Sequence, residues 1–256
     1  MEKVVIIGLG QMGGVFAHGL LRCGYTVCPV TRAMDPEAVA REVSEPALVL
    51  VAVAEAELEG VLASLPAAWR DRAALLQNEL LPEDWRRHGL EDPSVAIVWF
   101  EKKKDTPVHV VRPTLVSGPR AAILVEALSA LDIPARELSP AALLFELVRK
   151  NLYILTSNIA GLEVGGTVSE LWRDHHDLAA DVAAEIVALQ AWRAGEALPH
   201  AQLVAAMVEA FEGDPDHRCT GRSAPARLAR AVAHARQAGL SVPALERIAA
   251  RHLPAQ

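Results

Sequence analysis

The sequence is poor in cysteine, in net basic charge and in long uncharged apolar runs. Its three cysteines, Cys23, Cys28 and Cys219, form neither a disulfide framework nor a CxxC pair. Reduced thiols are the plain expectation. A net charge of -7, with 25 basic against 32 acidic residues, provides no basic footprint for nucleic acid. No uncharged apolar stretch reaches the ~20 residues of a membrane span. The opening MEKVVII is not a basic region leading into a signal-type apolar segment. These absences argue against nucleic-acid and membrane partners and favour a cytoplasmic location. Metal-ligand spacing is also missing. Asp174, His175, His176 and Asp177 are consecutive, and adjacent histidines on a helix point in different directions. His217 and Cys219 lack further ligands, so no metal site is expected.

What is present is a sizeable core. Of 256 residues, 52% are hydrophobic and 22% charged, enough for one large or two modest domains. Residues 3–7 form a short apolar strand pattern that ends in glycines. Residues 12–23 read as a helix with Met12, Phe16 and Leu20 on one face. Residues 25–30 give a second strand and residues 47–53 a third, apolar throughout, as expected where helices cover both faces of a parallel sheet. Further strands are predicted at 73–76, 96–100, 108–111 and 114–117, with helical stretches between several of them. The pattern predicts a doubly wound α/β domain. After Gly118-Pro119 a helix over 120–131 and an edge strand over 135–138 complete it. Ser139-Pro140 resembles a helix start. Beyond it the chain is rich in alanine and leucine, without clear strands. The expected organisation is therefore a Rossmann domain over 1–138 and an all-helical domain over 139–256.

The most informative motif is Gly8-Leu9-Gly10-Gln11-Met12-Gly13, which ends the first strand and opens the first helix. Gly8 permits a tight turn, Gly10 lets the backbone approach a pyrophosphate, and Gly13 lets helix pack on strand. The free amides of the helix N-terminus then face the phosphates. NAD-binding domains carry an acidic residue about 20 residues farther on, at the end of the second strand. Here that strand ends Pro29-Val30-Thr31-Arg32. A hydroxyl and a guanidinium suit the 2′-phosphate of NADP, although Asp35 lies close by. The expected cofactor is NADPH.

A second informative stretch covers residues 143–162. Leu144, Val148, Leu152, Leu155 and Ile159 share one helical face, and residues 151–162 carry no charge. Such a helix is central to its domain, and Asn158 within it needs polar partners. Lys150, Ile154 and Asn158 form one stripe. A lysine there can protonate a carbonyl oxygen in a reduction, or form a surface pair with Glu146. Arg222 and Ser223, with Arg218, precede another helix and could bind a carboxylate or phosphate, or form a solvated loop. Lys102, Lys103 and Lys104 read as a solvated loop. Trp172 and Trp192 read as helix-packing residues.

Over most of its length the chain resembles the ketopantoate reductase family, within the 6-phosphogluconate-dehydrogenase-like group. The likeness rests on the GLGQMG turn, Asn78 in LLQNELLP, Gly118-Pro119 before a helix, and Lys150 with Asn158 and then SEL at 169–171. The tail pattern HARQAGLSVPALERI also matches. The resemblance implies an N-terminal NADPH-binding Rossmann domain, a helical C-terminal domain, and reduction of a 2-keto acid. It places the general-acid lysine at Lys150, a nicotinamide-side asparagine at Asn78 and a substrate-side asparagine at Asn158. Two departures affect the substrate side. Ile154 stands where the family has a second asparagine, and residues 217–231 lack the family's glutamate and carry arginines. The expected partners are a small-molecule carboxylate substrate and a second copy of the chain. Alternative expectations are an oxidoreductase of hydroxy acids or imines, and a non-catalytic NADP-binding regulator.

Overall fold

Strand β1 (Lys3–Ile7) enters the core almost as soon as the chain begins, with Val4, Val5 and Ile6 fully buried. In the computed structural model, which describes residues 1–254, two compact units follow one another. One is Met1–Leu144 and the other begins at Phe145. In the first unit β1 leads to α1 (Gln11–Arg22), β2 (Thr26–Val30), α2 (Pro36–Glu42), β3 (Leu48–Val51) and α3 (Glu55–Ala63). Then come a 3-10 turn at Ala67–Arg72, β4 (Ala73–Leu75), α4 (Pro82–Arg86) and β5 (Ser94–Ile97). The unit is completed by β6 (Phe100–Glu101), β7 (His109–Val110), β8 (Thr114–Ser117), α5 (Ala121–Ser129) and β9 (Ala135–Glu137).

Seven strands form one sheet in the order β2-β1-β3-β4-β5-β8-β9. Alternate residues feed its two faces. Val4, Ile6, Leu48 and Leu50 share a core with Phe16 and Leu20 of α1 and Leu124 and Leu128 of α5. Val5, Val49, Val51 and Leu75 point the other way and are buried as well. Burial on both faces explains why β3 shows no polar alternation. Helices α1 and α5 touch backbone to backbone, since a Cβ on Gly19 would stand 2.0 Å from the Ala127 carbonyl oxygen.

The sheet departs from simple strand–helix alternation in one place. The first five strands in the order are mutually parallel, but β8 runs antiparallel to β5, and β9 is parallel to β8. The chain between β5 and β8 is the small β6–β7 hairpin. A hairpin is not the helical crossover that would bring a strand back in parallel. The run expected over 96–100 is accordingly split between β5 and β6.

The second unit is helical. A short 3-10 turn at Pro140–Ala142 precedes α6 (Leu143–Val164). It is followed by α7 (Val168–Asp174), α8 (His176–Ala194), α9 (His200–Gly213), α10 (Ala224–Ala238) and α11 (Pro243–His252). From Leu147 to Gly161 every residue of α6 except Lys150 is buried, so this helix is the unit's centre. Asn151, buried on this helix, donates to the Gln190 side chain of α8 at 2.9 Å. Glu185 of α8 accepts the first amides of α11, from Ala244 at 2.7 Å and Leu245 at 2.9 Å. Trp172 packs edge-on against His176, at 4.6 Å between ring centroids. Trp192 corrects the sequence expectation, since it is 44% exposed near the end of α8. No helix among the described residues is long and apolar enough to cross a membrane.

Candidate active site

The glycine turn sits at the carboxyl end of β1, where β2 lies on one side and β3 on the other. This is the switch point at which doubly wound sheets bind ligands. Gly8 has φ +93 and its amide donates to the Val30 carbonyl at 3.0 Å, tying the turn to the end of β2. A Cβ on Gly13 would lie 2.1 Å from the Gly8 carbonyl oxygen, so α1 and the turn are in backbone contact. Gly10, the N-cap of α1, differs from both, because a Cβ there would meet nothing within 4 Å. No side chain caps α1 and its first turn holds no acidic residue. Leu9, Gly10 and Gln11 are exposed and Met12 is half-buried. Open space at Gly10 beside uncapped helix amides fits a pyrophosphate.

At the end of β2, Thr31 and Arg32 are exposed and form a turn closed by the Met34 amide on the Thr31 carbonyl at 3.0 Å. Asp35 is committed elsewhere. Its carboxylate accepts the Glu37 amide at 3.1 Å and caps α2. Arg32 donates to the carboxylate of Glu57 on α3, and Glu57 reaches back to the Ala54 amide at 3.4 Å. Glu57 is not legible in the sequence as a partner of Arg32. Its position three residues past the N-cap of α3 marks it as a helix-start acid, but nothing local shows that it reaches Arg32.

After β4, Gln77 joins two strand ends. Its amide nitrogen donates to Val51 at 2.8 Å and Val53 at 3.2 Å, and its oxygen accepts from Leu76 at 3.1 Å. Asn78 donates to Glu55 at the start of α3, at 3.1 Å. Gly118, at φ +106, lies so close to Ser94 that a Cβ would stand 2.6 Å from the Ser94 Cα. Ser94 in turn accepts the Arg120 amide at 2.8 Å. The Gly118-Pro119 motif therefore serves chain packing. Among the lysines of the β6–β7 hairpin, Lys103 pairs with Glu101 at 3.0 Å.

In the helical unit, Lys150 lies half-buried on α6. Glu146, its neighbour one turn earlier, has its carboxylate 3.5 Å from Arg149, which also holds Glu209 at 2.7 Å. Asn158 follows Lys150 by two helical turns, about 12 Å along the axis. Its side-chain oxygen accepts from Arg227 of α10 at 2.7 Å. Its nitrogen makes only long contacts, 3.4 Å to the Cys219 carbonyl and 3.5 Å to Ser157. Arg227 is only 9% exposed. It was not singled out in the sequence, though a helical stripe through Ala224, Leu228, Ala231 and Ala235 places it on the buried face of α10.

The loop before α10 is pinned to α6. A Cβ on Gly161 would fall 2.5 Å from the Cys219 Cβ, and the Cys219 amide donates to Gly166 at 3.1 Å. Burial, with Glu170 nearby, pushes the Cys219 thiol up to about 11, so it stays protonated. Arg222 is exposed, and Ser223 sits at the N-cap of α10 without a side-chain cap bond. The structure thus brings Asn158 together with Arg227 and the Cys219 carbonyl, and leaves Arg222 in solvent. Within SEL at 169–171, Glu170 closes a capping box with Thr167, at 2.9 and 3.3 Å. No group of three metal-ligating side chains occurs among the described residues.

No protein-family model matches the sequence, and no curated protein does. Solved structures do match. A ketopantoate reductase from Ralstonia eutropha is 20% identical with a TM-score of 0.69, over 97% of this chain and 96% of that one. A dimeric ketopantoate reductase from Staphylococcus aureus is 17% identical with a TM-score of 0.65, over 97% and 96%. D-mandelate dehydrogenase in complex with NADH and anilino(oxo)acetate is 15% identical with a TM-score of 0.67, over 96% of each chain. At these identities the likeness is one of fold. The chain has the fold of the ketopantoate reductases and of D-mandelate dehydrogenase, an α/β unit followed by an all-helical one.

Proposed function

We propose that this protein is an NADPH-dependent reductase of a 2-keto acid or a related carbonyl compound, located in the cytoplasm. Residues 1–138 hold the dinucleotide, and residues 139–256 take the substrate and a second copy of the chain. The observation that carries the reading is the turn at the end of β1, where Gly10 faces open space and the first amides of α1 have no side-chain cap. A bound nicotinamide dinucleotide supplies a hydride to the carbonyl carbon. The chain's own groups do the rest. Gly8, Leu9, Gly10, Gln11, Met12 and Gly13 cradle the pyrophosphate with backbone amides, Thr31 and Arg32 hold the 2′-phosphate, and Asn78 orients the nicotinamide side. Lys150 gives its proton to the carbonyl oxygen and regains one from solvent. Asn158 binds the substrate carboxylate through its amide nitrogen, with Arg227 lending fixed positive charge. Arg222 and Ser223 complete the substrate side.

NADPH oxidation followed by absorbance against a panel of 2-keto acids, hydroxy acids in the reverse direction and cyclic imines tests the reading. Turnover of a 2-keto acid, lost in Lys150→Ala, supports it. Nucleotide binding without turnover of any compound favours the second reading, an NADP-binding regulator. Ile154 motivates that alternative, since a buried isoleucine occupies the turn between Lys150 and Asn158 and offers no hydrogen bond.

A further inference from the structure

The ion pair between Arg32 and Glu57 bears on cofactor choice, on the premise that the glycine turn binds a nicotinamide dinucleotide. Arg32 follows β2, and Glu57 lies in the first turn of α3, which follows β3. Strands β2 and β3 flank β1 on opposite sides. The pair therefore spans the carboxyl edge of the sheet across the turn at Gly8. Arg32 is 89% exposed at its side chain, so solvent and ligand both reach it. Glu57 is anchored at its other oxygen by the Ala54 amide. Asp35, the nearer carboxylate in sequence, is occupied as the cap of α2.

A 2′-phosphate needs an available cation, whereas a ribose 2′-hydroxyl needs an acceptor. In this chain the cation at the end of β2 is already shared with a carboxylate. NADPH must displace Glu57 from Arg32 or tolerate it nearby. NADH can donate its 2′-hydroxyl to Glu57. We infer that Glu57 is a cofactor-selectivity residue. It tempers the preference that Arg32 gives for NADPH, and it supplies the acidic group that the end of β2 lacks, so that both nucleotides bind usefully. An exposed ion pair is worth at most about 1 kcal/mol, so its release corresponds to a roughly two- to fivefold change in affinity.

The test is a nucleotide-fluorescence titration of NADPH and NADH against the wild type, Glu57→Gln, Arg32→Gln and the double variant. Glu57→Gln should tighten NADPH about two- to fivefold and weaken NADH. In the Arg32→Gln background the same change should give NADPH little or no gain. Glu57→Lys should push selectivity further in the same direction, and circular dichroism should show that each variant is folded. NADPH affinity unchanged in both folded Glu57 variants overturns the inference. So does an equal gain in the Arg32→Gln background, which would mean simple repulsion of phosphate without the ion pair. A wild type that binds NADH tighter than NADPH overturns the NADPH reading alone, because the coupling is read from the four-variant cycle. A chain that binds neither nucleotide overturns both.

Discussion

Replacing Gly13 by alanine and Gly10 by valine perturbs two positions of the same turn in opposite ways. At Gly13 the new Cβ would stand 2.1 Å from the Gly8 carbonyl oxygen and 3.3 Å from the Ala52 Cβ. The first distance is far inside contact, so α1 must move off the turn by about 1 Å, a shift that overpacked sites resist at a cost of about 1–3 kcal/mol. Alanine recovers up to ~1 kcal/mol through its better helix propensity. With the full gain a net loss of up to about 2 kcal/mol remains, which lowers the melting temperature by up to roughly 8 °C in a protein of this size. At Gly10 there is no atom to strike within 4 Å, and the backbone, at φ -72 and ψ -163, is extended and open to any residue. Gly10→Val should therefore cost no more than about 1 kcal/mol as an N-cap change. It should abolish dinucleotide binding by filling the space that the pyrophosphate needs. Differential scanning fluorimetry with and without NADPH separates the two effects. Gly13→Ala should melt early, while Gly10→Val should melt near the wild type and show no shift with nucleotide. A Gly10→Val protein that is stabilised by NADPH like the wild type would refute the argument, because the open side of the turn would then not be the ligand side.

Lys150→Ala should lower kcat by roughly 10²- to 10⁴-fold on whichever carbonyl compound is reduced, with nucleotide affinity little changed. Lys150→Arg should not restore turnover, and near-normal kcat in Lys150→Ala would remove the lysine from the mechanism. Arg227→Ala should raise KM for a keto acid by about tenfold or more, the worth of a buried charge-assisted hydrogen bond to Asn158, whereas an unchanged KM would leave Arg227 a packing residue. Cys219 predicts a stability limb at alkaline pH. Its thiol is raised from an ordinary value of 9.0 to about 11 in the fold, so its contribution is complete below pH ~9 and is lost as pH climbs toward ~11. Urea midpoints measured across that window should fall more steeply for the wild type than for Cys219→Ala, and equal slopes would contradict the assignment.

Much of the first unit was legible because its signals are local. Apolar runs without alternation mark strands buried on both faces, and Gly8 and Gly13 of the turn each have a distinct local reason to be glycine. The antiparallel course of β8 was not legible, because strand direction depends on what connects β5 to β8 and the small hairpin there gives no periodic signal. In the helical unit the uncharged run after Lys150 correctly marked a central helix. The partners of its polar residues come from far along the chain, and a sequence pattern does not pair Asn158 with Arg227. Arg222 drew notice because it stands in a loop beside Ser223, yet it is Arg227, four residues past Ser223 on the buried face of α10, that reaches Asn158. Glu57 was overlooked for the same reason, since its partner Arg32 lies on the far side of a strand and a helix.

The carboxylate of Glu185 makes helix α11 dependent on an earlier one. Helix α11 begins after Val242, which offers no capping side chain, and its first amides are received by Glu185 of α8. On its own a helix of this length is marginal in water. It takes shape only once α8 is in place to receive it. A chain released early, before residue 243, would leave Glu185 without those two donors. It would also uncover the surface of α8 on which α11 packs. Truncation before residue 243 should therefore yield a chain that collapses yet stays open along one helix, the kind of species that quality-control proteases remove first.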